Sequence, residues 1–255
     1  MSNSIVIKVT IFVFVTFIFT IILAMAQESL GIDYQVIILP QWGPGIAALI
    51  LGFVLYKNTI DKSIRFSGFH PVKLFICLLL PIGMIGAGYF ISKTLSVTSG
   101  NIVKMDIQLL YVIIPAIFFG AVGEALGWRC FLQSSLDGRL NYVIASVLVG
   151  TLWGLWHVGQ YRNGVMFMVL FLIFTISFSI ILAYLIREFD YNLLLAAVFH
   201  FSANIGFFVF YRENLNDTNM MLINALVWLS GAILILAPCL KDTMSRVLSE
   251  AKANS

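Results

Sequence analysis

A chain of 255 residues that is 60% hydrophobic, 11% charged and of mean hydropathy +0.99 is not a water-soluble domain, which carries about twice that charged fraction. A net charge of +3 is too small to mark a nucleic-acid-binding protein, and three cysteines without a CxxC pair give neither a disulfide framework nor a zinc cage. What remains is an all-α fold, a polytopic transmembrane helical bundle, in one unit because no hydrophilic insert is long enough to fold separately.

In chain order, the apolar run 5–26 is long enough to span. Lys8 near its start and Ala24-Met25-Ala26 at its end imitate a secretory signal, but the run exceeds the usual ~7–15 residue signal core, so it reads as a retained first helix. Helix 2 covers 35–56, broken near Pro40 and Gly43-Pro44-Gly45, with Trp42 expected at a membrane interface. Helices 3 to 8 follow at 72–92, 107–136, 141–161, 164–186, 191–211 and 219–240, which makes about eight. They divide into N-terminal helices 1–3 (1–106), a core of helices 4–7 (107–211), and a last helix with a charged tail (212–255).

Loop charge sets the expected orientation. With the N-terminus inside, the cytoplasmic segments hold Lys57, Lys62, Arg65, Lys73, Arg129, Arg139, Arg187, Lys241, Arg246 and Lys252. The outer loops hold Lys93, Lys104, Arg162 and Arg212. Both termini of this integral membrane protein are therefore expected in the cytoplasm.

Against this background the segment Gly123–Leu136, GEALGWRCFLQSSL, stands out, because it places Glu124 and Arg129 at the end of an apolar run. An ionisable group at membrane depth costs several kcal/mol and marks a working site by default. His157 and His200 also lie in apolar runs, whereas His70 belongs to the basic loop. Trp153 and His157 are four residues apart, as are His200 and Asn204, so each pair shares a helix face.

Glu124 and His157 are equidistant from the hairpin apex at Leu140-Asn141, about 24 Å along each arm at a ~1.5 Å rise, and His200 lies about 14 Å into helix 7. Three helices thus deliver Glu, His and His-xxx-Asn to similar depth, read as the cytoplasmic half of the bilayer. The plainer reading is an interhelical hydrogen bond for each histidine and a structural ion pair of Glu124 with Arg129 or Arg139.

A carboxylate beside an imidazole in a wet cavity can deprotonate water, and a second imidazole with an amide can hold an oxyanion. That is a kit for peptide-bond hydrolysis without a covalent intermediate. Cys130 and Ser202 are weaker nucleophile candidates, the first with no paired histidine and the second about 100° around the helix from His200. Neither GxSxG nor HExxH occurs. Glu124, His157 and His200 also make a possible His₂Glu set for Zn²⁺, and the sequence does not choose between zinc and no cofactor.

The three segments resemble, in order, the motifs of the CPBP intramembrane proteases, a family that includes the type II CAAX prenyl endopeptidases and bacterial bacteriocin-immunity proteins. The family's EExxxR is similar to Glu124-Ala125-Leu126-Gly127-Trp128-Arg129, its aromatic-xxxH to Trp153–His157, and its HxxxN to His200–Asn204. Together they span 120–207. The resemblance implies that Glu124 and His157 activate water, that His200 and Asn204 stabilise the oxyanion, and that Arg129 and Trp153 support them.

Ala125 replaces the motif's second Glu and Cys130 a common Gly. The expectation is an intramembrane endopeptidase, attenuated by Ala125, acting on a peptide or membrane-associated protein from the cytoplasmic side of a bacterial cell membrane. The alternative is a catalytically degenerate immunity or scaffold protein binding through the same cavity. Transport through a Glu/His cavity is a third reading, with no inverted repeat to favour it. The lipid bilayer is the other expected partner, and nucleic acid is not one.

Overall fold

The computed structural model of the protein describes residues 3–34, 36–56, 70–97, 102 and 107–253. Lys57, Lys62, Arg65 and Lys104, used above for orientation, lie outside the described residues. The chain is a helical bundle with no strand among the described residues. Its rods are α1 (Asn3–Ser29), α2 (Gly43–Val54), α3 (Pro71–Thr94), α4 (Ile107–Glu124), α5 (Tyr142–Trp156), α6 (Val165–Ile186), α7 (Leu193–Tyr211) and α8 (Thr218–Ala253). A π-helical stretch, Ala125–Gln133, and a last turn, Ser134–Asp137, carry the rod of α4 onward.

Six helices among the described residues are long and apolar enough to cross a membrane, and the protein is an integral membrane protein. The expected helices 2 and 5 are present but shorter than their apolar runs. At 12 and 15 residues, α2 and α5 reach about 18 and 22 Å, short of a ~30 Å hydrocarbon core. Within the broken helix 2, Leu39–Trp42 form a 3₁₀ turn with Pro40 in its opening positions. Helix 5 stops at Trp156 rather than at 161.

The ends of the rods follow from local chemistry. Asn141 starts α5 by accepting from the Val143 N–H at 2.8 Å, and Asn192 starts α7 by accepting from Leu195 N–H at 3.2 Å. Gly164, at φ 92°, separates the turn after α5 from α6 in a conformation that side chains rarely adopt. The first helix takes its place in the bundle. Its Phe12 is fully buried between Trp128 and Phe131, and its Thr20 accepts from Trp156 Nε1 at 2.9 Å.

Within the bundle, α3 packs on α7, α5 on α6, α4 on α7, and α8 on both α6 and α3. The contact that positions the site is made by α2 and the 3₁₀ turn against α4 and the π stretch. A Cβ at Gly123 would stand 2.9 Å from the Gln41 carbonyl oxygen, and one at Gly127 only 2.4 Å from the Pro44 Cβ. This row of small residues lets two backbones touch, as tight helix contacts in membranes require. Trp42, expected at a membrane interface, ties down the same contact: its Nε1 donates to the Phe119 carbonyl at 2.9 Å and its ring lies 4.7 Å from that of Phe119.

Candidate active site

Glu124 is the last residue of α4 before the π stretch and is 2% exposed. Both of its oxygens are engaged. Oε1 accepts from Gln41 Nε2 at 2.8 Å and Oε2 from Trp153 Nε1 at 2.6 Å. The same Oε2 lies 3.9 Å from His200 Nε2, too far for a hydrogen bond but close enough for electrostatic contact. A buried carboxylate needs such partners, since each unmet lone pair would be left desolvated.

The π stretch changes how Arg129 meets this group. In a regular α-helix, five residues at about 100° each would turn positions 124 and 129 roughly 140° apart. The wider i→i+5 turn brings them back toward one face, and both reach Trp153. The guanidinium of Arg129 sits 4.9 Å from the Trp153 ring and 5.5 Å from that of Phe178, while its Nη1 donates to Ser179 Oγ at 2.8 Å. Arg129 is buried and makes no ion-pair contact with Glu124 among the described residues. The structural ion pair with Arg129 is therefore not formed. Nor is Arg129 exposed in a loop as its place among the loop charges implied: it is buried behind Trp153.

His157 is not inside a helix, as expected, but at the point where α5 ends, with φ −74° and ψ 61°. Its backbone N–H turns to the Gly154 carbonyl at 3.2 Å. The Trp153 carbonyl, which a continuing helix would have paired with that N–H, is taken by the imidazole Nδ1 at 2.8 Å. A carbonyl only accepts, so Nδ1 carries the hydrogen, and the neutral ring keeps its lone pair on Nε2. His157 also packs against Trp156 and Phe171, at 4.9 and 5.1 Å between ring centres.

His200 lies on α7, buried, with its ring 5.3 Å from Trp153 and 5.7 Å from Phe178. Asn204 follows one turn later. The indole of Trp153 is the hub, touching both imidazoles and Arg129 and donating to Glu124.

Glu124, Trp153, His157, His200 and Asn204 all line one cavity of about 650 Å³. From the sequence these residues are expected at a similar depth, and in the structure they share this cavity. Sequence reasoning missed Gln41, whose signal was a lone amide between Pro40 and Trp42 at the break of helix 2. It also missed Phe167, Phe171, Phe174 and Phe178, which wall the cavity and recur at helical spacing along α6. Cys130 and Ser202 stay outside it. Cys130 Sγ donates to the Tyr191 carbonyl at 3.3 Å, and the Ser202 hydroxyl bonds the Leu78 carbonyl.

The His₂Glu zinc set does not fit the donors as placed. No group of three His, Cys, Asp or Glu able to hold a metal ion occurs among the described residues, and both Glu124 oxygens already accept hydrogen bonds.

Residues 106–206, from just before α4 to the end of the HxxxN segment, match the family described as type II CAAX prenyl endopeptidase Rce1-like. Among curated proteins, the chain is 28% identical over 262 residues to lysostaphin resistance protein A of Staphylococcus haemolyticus, covering 96% of this chain and 71% of that protein. It is 28% identical over 219 residues to the protein of the same name from Staphylococcus aureus, covering 82% of this chain and 51% of the relative. The chain thus spans about half the length of the latter. The matched region contains Glu124, Trp153, His157, His200 and Asn204, the residues of the cavity floor. With the ordered motifs and the helical bundle around them, this core is similar to the type II CAAX prenyl endopeptidase (Rce1-like) family.

Proposed function

We propose that the protein is an intramembrane endopeptidase in which Glu124 and His157 activate water and His200 and Asn204 hold the oxyanion. The observation that supports this most is the convergence of these four side chains, from three different helices, on one cavity walled by phenylalanines. Water entering it meets the lone pair of His157 Nε2 and the carboxylate of Glu124, which Gln41 and Trp153 hold in a fixed orientation. The imidazole takes the proton as the oxygen attacks the carbonyl carbon. His200 and the Asn204 amide donate to the oxygen that gains charge, and the proton then passes to the leaving amine. Apolar walls strengthen each of these interactions by excluding bulk water.

The reading is tested on full-length protein in lipid nanodiscs against a library of membrane-associated peptides, with products identified by mass spectrometry. Glu124→Ala, His157→Ala and His200→Ala should each abolish cleavage while folding and abundance are kept. Turnover at the wild-type rate by the Glu124 variant would sink the mechanism.

A second reading, a resistance or immunity protein that binds without cleaving, is favoured by Ala125 and by the names of the relatives. It predicts that any protective phenotype survives all three substitutions.

A further inference from the structure

The cavity is not symmetric along the bundle. Its mouth is marked by the exposed lining residues Tyr34 of the α1–α2 connection, Arg162 of the turn after α5 and Leu215 of the turn after α7, beside which lie the half-buried Gln160 and Arg212. These connections leave the C-terminal ends of α1, α5 and α7. No residue of the α4–α5 hairpin, 137–141, or of the α6–α7 turn, 187–192, contributes to the lining. Loop charge assigns the hairpin, the α6–α7 turn and the C-terminal tail to the cytoplasm. By the same rule the mouth opens on the opposite face, and His157, at the far end of α5 from the hairpin, lies toward that face too.

The charge pattern of the lining is as uneven as its shape. Among the described residues Arg162 and Arg212 are its two cations, both at the mouth, and Glu124 is its one acid, at the floor. Arg162 is exposed, and Arg212 is stacked 4.9 Å from the ring of Phe208, which also lines the cavity. Between floor and mouth the wall is apolar, carried by the phenylalanine stripe of α6 together with Met220 and Met221. A volume of about 650 Å³ is within the range of sites that enclose a ligand rather than graze it.

We infer that the site takes a peptide segment presented from the non-cytoplasmic face, apolar where it lies along the phenylalanine wall and acidic where it passes the mouth. Its carboxylate is seated by Arg162 and Arg212. The inference rests on the endopeptidase reading for what happens at Glu124, but not for which face opens or which charge the mouth prefers. An acidic residue at the mouth pairs with two guanidiniums, while a lysine there meets like charge. The carboxylate at the floor repels a second acid from the reacting end, so the same pattern orients the segment.

Two measurements on the full-length protein test this. In the first, Arg162→Cys and Arg139→Cys variants are exposed in intact cells to a membrane-impermeant maleimide. The first should label at once and the second, on the hairpin, only after permeabilisation; the reverse pattern overturns the side of access.

In the second, three peptides share one apolar segment and differ only in a flanking Glu, Gln or Lys. Their affinities are measured in nanodiscs on the Glu124→Gln variant, where hydrolysis does not intervene. Affinity should fall from Glu to Gln to Lys by about three- to tenfold per step, and the double variant Arg162→Glu, Arg212→Glu should invert the order. Equal affinities, or an order unchanged by the double variant, overturn the acidic preference. Binding in the expected order with no cleavage by the unmodified protein would instead count against the endopeptidase reading alone.

Discussion

Gln41 and Glu124, 83 residues apart in sequence, share a 2.8 Å hydrogen bond across the contact between the 3₁₀ turn and α4. The bond exists because the backbone of 40–45 lies directly on the glycines of α4, and a Cβ at Gly120 would collide with the Gln41 amide itself. Gln41 is held from the other side as well. The fully buried Gln27 donates to the carbonyls of Ile32 and Ile37 and accepts from the Leu39 N–H, fixing the connection that leads into the turn.

Gln41→Leu should therefore lower kcat by about ten- to hundredfold, the usual effect of removing a group that orients a reacting side chain. KM should change little, and the folded protein should remain abundant. Gln41→Asn, a shorter amide, should recover less than half of the loss. Steady-state kinetics on a cleaved peptide would check both, and an unchanged kcat for the leucine variant would remove Gln41 from the mechanism.

Trp153→Phe separates the two duties of the hub. The ring remains to stack with Arg129 and both imidazoles, while the N–H that meets Glu124 at 2.6 Å is lost. Turnover should drop by about a factor of ten or more with a thermal midpoint close to wild type. Trp153→Ala should also destabilise the fold, by about 3–5 kcal/mol, as truncation of a buried aromatic does. Thermal unfolding in detergent distinguishes the two variants.

Ser179→Ala leaves a buried guanidinium with one acceptor fewer. Loss of a hydrogen bond to a buried charge costs about 1–3 kcal/mol, visible as a lowered unfolding midpoint. Arg129→Lys should be worse than Arg129→Met, because a compact ammonium stacks poorly on Trp153 and needs more hydration than the site gives. A lysine variant as stable as wild type would refute this account of the stack.

Gly127→Leu should prevent the docking of residues 40–45, since even its Cβ would stand 2.4 Å from Pro44. The expected result is a loss of more than about 2 kcal/mol of stability together with loss of activity. A cysteine cross-link between the α2 segment and α4, formed in the parent and absent in the variant, would report the docking directly.

Turnover of the purified protein should withstand EDTA. The prediction follows from the engagement of both Glu124 oxygens by Gln41 and Trp153. Loss of activity in chelator, restored by Zn²⁺, would mean that these bonds are exchanged for a metal in the working state.

The bundle and the meeting of Glu124, His157, His200 and Asn204 were legible because apolar runs fix the rods and hairpin symmetry fixes relative depth. The end of α5 was not. The run 141–161 is apolar enough to continue, and the stop at Trp156 depends on the His157 side chain competing for the Trp153 carbonyl, which hydropathy does not register. Nor was the partner of Arg129, since a five-residue spacing read with α-helical pitch faces it away from Glu124. The family motifs contain no Gln41, and its role emerges only when two distant backbones meet over Gly123 and Gly127.

The π stretch between Glu124 and Gln133 acts as a phase shift in the rod. Ahead of it α4 keeps one angular register, and beyond it everything down to the hairpin is set in another. Forcing the same nine residues into ordinary α-helical pitch would rotate the hairpin end of the rod relative to Glu124 and turn Arg129 roughly 140° away from it. Grafting the motif onto a regular helix of another membrane scaffold would likewise carry over the letters of the site without its geometry.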